Sequence, residues 1–78
     1  MSDAEIKQKL DALSLAAKAW LRRAADQMND GVEYIDNPKA RAECVAAGVL
    51  TQMRGKRIEI SAEVNHIVYS EGYLAAKF

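Results

Sequence analysis

Apolar residues in the first part of the chain recur at alternating spacings of four and three: Ile6, Leu10, Leu13, Ala17, Trp20 and Ala24. That spacing is one seam of an amphipathic helix. Leu21 and Met28 widen it. Ser2-Asp3-Ala4-Glu5 reads as a capping box, with Met1 and Ile6 placed for a hydrophobic staple. Asp3 and Glu5 suit the positive end of the helix dipole. Asn29-Asp30-Gly31 closes the segment, with Gly31 suited to the left-handed position after the last turn. A connector follows, Val32-Glu33-Tyr34-Ile35-Asp36. Asn37 then makes a good N-cap, and Pro38 fits the first helical position, where its missing N–H costs nothing. A connector this short favours antiparallel neighbours.

A second seam runs through Ala46, Leu50, Met53, Arg57, Ile60, Val64, Ile67, Glu71, Leu74 and Phe78. Its phase continues across Gly55, whereas a turn usually resets it. Gly48, Gly55 and Gly72 all fall off the seam. An exposed helical glycine costs about 1 kcal/mol relative to alanine, which a long buried seam outweighs. No Pro, Asn or Asp stands near Gly55 to build a turn. The pattern therefore predicts one helix from Pro38 to near the C-terminus. The expected fold is all-α, an antiparallel helical hairpin with a long second helix. The alternative is a compact three-helix bundle broken near Gly55. Ile58 and Ile60 alternate around Glu59, so a short strand there is a lesser alternative.

The long helix has a geometric consequence. Helix one would span about 42 Å and helix two about 60 Å. The overhang would expose Ile67, Val68, Tyr69, Tyr73, Leu74 and Phe78, a large apolar patch that needs a cover. The simplest cover is a second copy in a two-fold arrangement. Ile60, Val64, Ile67, Leu74 and Phe78 would then form the seam of a homo-oligomer.

Length and composition narrow the class. Seventy-eight residues make a single domain, 1–78, whose small core leaves it marginal alone. Cys44 is the sole cysteine, so no internal disulfide forms, and a lone thiol suits a reducing compartment. The start, MSDAEIKQKL, lacks the basic-then-apolar pattern of a signal peptide, and no apolar run reaches bilayer length. A cytoplasmic protein with no membrane contact is expected. Eleven basic and eleven acidic residues cancel. That disfavours a general nucleic-acid coat, which is strongly basic. Charge is uneven, however. Between Lys39 and Arg57 stand five basic residues and a single acid, Glu43. Such asymmetry steers anionic partners.

Arg54-Gly55-Lys56-Arg57 is the sharpest candidate for binding. It is not a phosphate-binding loop of the Walker type, which needs GxxxxGK[ST] after a strand. Arg57 lies on the apolar seam, and the simpler reading pairs it with Glu71 of an antiparallel copy. Lys39 and Arg41 stand at a helix start, where Asp26, Asp30, Glu33 and Asp36 are near enough to neutralise them. Tyr34, Tyr69 and Tyr73 offer contact area with a polar tip. Trp20 belongs to the core. His66 and Cys44, the sole histidine and cysteine, would lie about 33 Å apart on one helix, too far for a nucleophile–base pair. Glu59, Glu63 and His66 share a helical face, which is more simply solvated charge than a metal site. No catalytic residue, cofactor or metal is expected. The first functional reading is a small non-enzymatic regulatory or inhibitory protein that occupies a partner protein's surface. Proteins of that size and type occur among accessory factors of phages and mobile elements, including inhibitors of host defence, an analogy only. The alternative is an oligomer that binds an anionic small ligand such as a nucleotide. Its ligand or partner residues would be Arg54, Lys56, Arg57, Tyr69 and Tyr73. Nucleic-acid binding through residues 39–57 ranks third.

Overall fold

The computed structural model describes residues 2–30, 36–55 and 57–74. It is mostly helical with one small antiparallel sheet. The order is α1 (Asp3–Ala12), α2 (Leu15–Asp30), α3 (Pro38–Ala46), β1 (Thr51–Gln52), β2 (Ile58–Glu59) and α4 (Ala62–Asn65), and α4 runs into a π-helical turn, His66–Ser70. In the two-stranded sheet Thr51 faces Glu59 and Gln52 faces Ile58.

Helix starts follow the local sequence. The Ser2 side chain accepts from the Glu5 amide, as the capping box requires, at 3.2 Å. Asn37 caps α3 by accepting from the Ala40 amide at 3.1 Å, with Pro38 in the first turn. Ser61 does the same for α4 through the Val64 amide. Met1 and Gly31, expected in the staple and the first stop signal, lie outside the described residues.

The first seam is buried throughout: Ile6, Leu10, Leu13, Ala17, Trp20 and Ala24 all belong to the core. It is nevertheless carried by two helices, not one. The chain leaves helical geometry at Leu13, whose backbone is extended, and Ser14 restarts it by accepting from the Ala17 amide at 3.2 Å. A capping box would place a glutamate at position 17. Alanine stands there, and Glu43 of α3 fills the role from 29 positions away. Its carboxylate accepts from the Ser14 amide at 2.6 Å and from the Ser14 hydroxyl at 2.8 Å. The N-terminus of α2 is thus completed by tertiary structure.

The single long second helix does not form. α3 ends in a Schellman motif: Gly48 takes φ +80, its amide donates to Val45, and the Val49 amide donates to Cys44. Val49 and Cys44 are both in the core, the apolar contact that accompanies this motif. A second break falls at Gly55, φ +66, in the turn of the hairpin. Seam phase across Gly55 therefore reflects no continuous helix. Met53 and Arg57, which a helix would have buried, are exposed. The break near Gly55 and the strand at Ile58 correspond to the two alternatives of the sequence reading.

The overhang vanishes with the helix. Ile60, Val64, Ile67, Val68 and Leu74 lie in this chain's own core, together with Leu10, Leu21 and Cys44. Of these, Ile60, Val64, Ile67 and Leu74 are the residues assigned above to an oligomer seam, and they are buried within the chain. Phe78 lies outside the described residues. Principal extents of 30 × 24 × 22 Å leave no room for a helix of about 60 Å. Polar contacts also fasten the C-terminal part to the helices. Asn29 and Asn65 exchange side-chain hydrogen bonds, at 2.7 and 3.3 Å, joining α2 to α4. The Tyr73 hydroxyl donates to Asp11 at 3.0 Å. Lys7 lies over the Tyr73 ring, 5.4 Å from its centre, and 3.8 Å from Glu71.

Candidate functional site

The hairpin places two of the expected binding residues on one exposed tip. The Met53 amide donates to Arg57 at 2.8 Å, and the Arg57 amide donates to Arg54 at 3.3 Å. Gly55 takes the first central position of that β-turn, where hairpin turns need positive φ. Gln52 locks the loop from inside. Its side-chain amide donates to the carbonyls of Met53, Gly55 and Arg57, at 3.2, 2.7 and 3.2 Å. One side chain thus reaches the Met53 and Gly55 carbonyls of the tip, and shares the Arg57 carbonyl with the Met53 amide. Arg54 and Arg57 project from this fixed loop, and both are exposed. Among the described residues neither has an acidic partner within salt-bridge distance. Met53, 42% exposed, stands beside them. Lys56 lies outside the described residues.

Other candidates are engaged elsewhere. Tyr73 is held on α1 by Asp11 and Lys7. Tyr69 is half-buried against the core. Tyr34 lies outside the described residues. Arg41 pairs with Asp36 at 2.6 Å, the neutralisation expected at that helix start. Glu71, expected to meet Arg57 of a second copy, instead lies 3.8 Å from Lys7 and 3.5 Å from His66 within the chain. Trp20 is buried, as expected. Glu59 sits on β2 while Glu63 and His66 follow on the next helix. No three potential metal ligands come together among the described residues.

Two groups have shifted acidity. Glu43 is held below its ordinary value, chiefly by the Ser14 amide, then by the Ser14 hydroxyl, with Lys39 adding a smaller pull. Cys44 is pushed up to about 12, by burial first and the Glu43 charge second. Its sulfur points at the Ala17 carbonyl, 3.9 Å away. A buried thiol at that value holds almost no thiolate at neutral pH and is a poor nucleophile.

Two depressions of the surface stand out among the described residues. One, of about 280 Å³, lies where the α1–α2 joint meets α3 and is lined by Ser14, Ala16, Asn37, Lys39, Ala40 and Glu43. The other, of about 360 Å³, is a groove between the outer face of α3 and β1, lined by Pro38, Arg41, Ala42, Val45, Ala46 and Gln52. Neither is lined by Arg54, Arg57, Tyr69 or Tyr73, so the expected ligand residues do not enclose a small-molecule pocket there. Among the described residues no helix is long and apolar enough to cross a membrane. No protein-family model, curated protein or solved structure matches the chain.

What sequence reasoning missed is Gln52. Its role depends on a hairpin that seam phase had hidden. The available signal was Gly48 followed by Val49-Leu50, the glycine-then-apolar pattern of a helix stop.

Proposed function

We propose that this is a small non-enzymatic regulatory or inhibitory protein that works by docking on a partner protein, with the β-hairpin tip as its contact element. The observation that carries the reading is the pair Arg54 and Arg57, exposed on a loop whose backbone Gln52 holds in place. Arginine forks recognise carboxylates in fixed, often bidentate geometry, and a preorganised loop loses little entropy on binding. Met53 adds apolar contact beside the charges. Buried Cys44, its pKa pushed up to about 12, argues against thiol catalysis. Self-association is not part of this proposal, because the seam that motivated it is used inside the chain.

The test is quantitative affinity capture with tagged wild type and with the R54E/R57E double variant. The variant changes only exposed side chains, and circular dichroism checks that its fold is kept. A protein partner enriched by wild type and lost from the variant is the expected result. Equal recovery with both chains removes the tip from the interface. Recovery of nucleic acid in place of protein, released steeply by salt, moves the function to phosphate binding.

A further inference from the structure

The tip and the groove beside α3 are continuous through one residue. Gln52 lines the groove and also donates to the Gly55 carbonyl at 2.7 Å in the loop that carries Arg54 and Arg57. The groove is mainly apolar, with Pro38, Ala42, Val45 and Ala46 along its helical wall. Pro38, Ala42 and Ala46 are exposed there without an apolar cover among the described residues. Arg41, the cation lining it among the described residues, is already paired with Asp36 at 2.6 Å. Apolar walls therefore adjoin a tip whose two arginines have no acidic partner among the described residues.

We propose, building on the protein-docking reading above, that groove and tip together receive one acidic segment of the partner, apolar side chains in the groove and carboxylates on Arg54 and Arg57. Charge complementarity fixes the sign of the segment. Small residues on α3 leave depth for the segment's side chains, and burying apolar surface supplies the affinity that two exposed ion pairs alone lack. A nucleic-acid strand fits less well. Its backbone seeks cations along the whole track, and here the groove's cation is neutralised while the chain's net charge is zero.

The experiment follows backbone amide shifts of the ¹⁵N-labelled full chain. The probes are a synthetic amphipathic Glu/Leu peptide, its Lys/Leu counterpart, poly-Glu and a mixed-sequence DNA duplex. The Glu/Leu peptide is expected to move Ala42, Val45, Ala46, Gln52, Arg54 and Arg57, and the Lys/Leu peptide to move none of them. Ala42→Glu, which charges the groove and leaves the tip intact, weakens the Glu/Leu peptide about tenfold, as does R54E/R57E. The proposal is overturned if the Glu/Leu peptide gives no shifts or shifts another surface. It is also overturned if poly-Glu binds as well and Ala42→Glu has no effect, since charge alone then suffices. Stronger, salt-steep shifts with the duplex overturn it in favour of phosphate recognition. If capture of the natural partner depends on Arg54 and Arg57 but is indifferent to Ala42→Glu, the docking reading stands and only the groove is lost.

Discussion

Glu43 sits on α3 but completes the start of α2, so one carboxylate ties α3 to the joint between α1 and α2. Its folded pKa lies below the unfolded value of about 4.3. The unfolded chain therefore takes up the proton first as pH falls. The stability contributed by the Ser14 bonds is present above that value and is lost as pH drops through it towards the folded pKa. Glu43→Gln should be less stable than wild type at neutral pH, with the gap closing below about pH 4. Urea unfolding across a pH series measures this, and a gap independent of pH would separate Glu43 from the effect. Ser14→Ala removes the cap itself and should cost about 1 kcal/mol. The neighbouring Cys44 gives a second residue-level prediction. With its thiol pushed up to about 12, a thiol reagent at pH 8 should label the folded chain about a thousandfold more slowly than an ordinary cysteine. Denaturant should restore the ordinary rate. Fast labelling of the folded chain would mean that the α2–α3 contact opens readily.

At the scale of elements, the hairpin is held by one side chain and one glycine. Gln52→Ala removes the side-chain donor from the Met53 and Gly55 carbonyls, while the Arg57 carbonyl keeps the Met53 amide. Because the tip is exposed, water replaces the lost donors, and global stability should change by no more than about 0.5 kcal/mol. The expected signature is local: faster hydrogen exchange at the Met53 and Arg57 amides, with α1 and α2 unchanged. Gly55→Ala meets no atom within 4 Å, so its cost is backbone strain alone, about 1 kcal/mol for a left-handed alanine. Exchange protection that persists in both variants would show that the strand pairs hold the loop without them. These elements also show what was legible. Caps at Ser2 and Asn37 were, because every group involved lies within four residues. The break at Ser14 was not, because the acid that completes it comes from another helix. The hairpin was hidden because Leu50, Ile60, Val64, Ile67 and Leu74 keep a helical phase while being buried by different elements. Periodicity reports which residues face a core; it does not report that one helix carries them. The charged members of that line, Arg57 and Glu71, were the clue. A continuous seam would have buried both, and both are exposed. Arg54 and Arg57 were legible as a basic cluster, but their alignment on one tip depended on a turn that the phase argument rejected.

For the whole molecule the governing fact is where the large apolar groups go. Ile67, Val68 and Leu74 are at most 2% exposed and share one cluster with Ile6, Leu10 and Leu21. Ile67, Val68 and Leu74, buried against this chain's own helices, need no second copy to cover them. The Cα radius of gyration is 11.2 Å, against about 11.5 Å expected for a compact chain of this length. Small-angle scattering on a size-exclusion column should therefore return a monomer mass and a radius near that value, with a hydration shell added. A two-fold dimer of long hairpins would give a clearly larger radius and an elongated distance distribution. The same measurement on Ile67→Ala separates fold from surface. That truncation should remove about 2–5 kcal/mol, a large share of the roughly 4–12 kcal/mol total that suits a domain of this size. The variant should expand or unfold partly under conditions where R54E/R57E stays compact, because both tip arginines are exposed. If Ile67→Ala instead left stability untouched while changing the oligomeric mass, the C-terminal residues would be interface and not core, and the long-seam architecture would return.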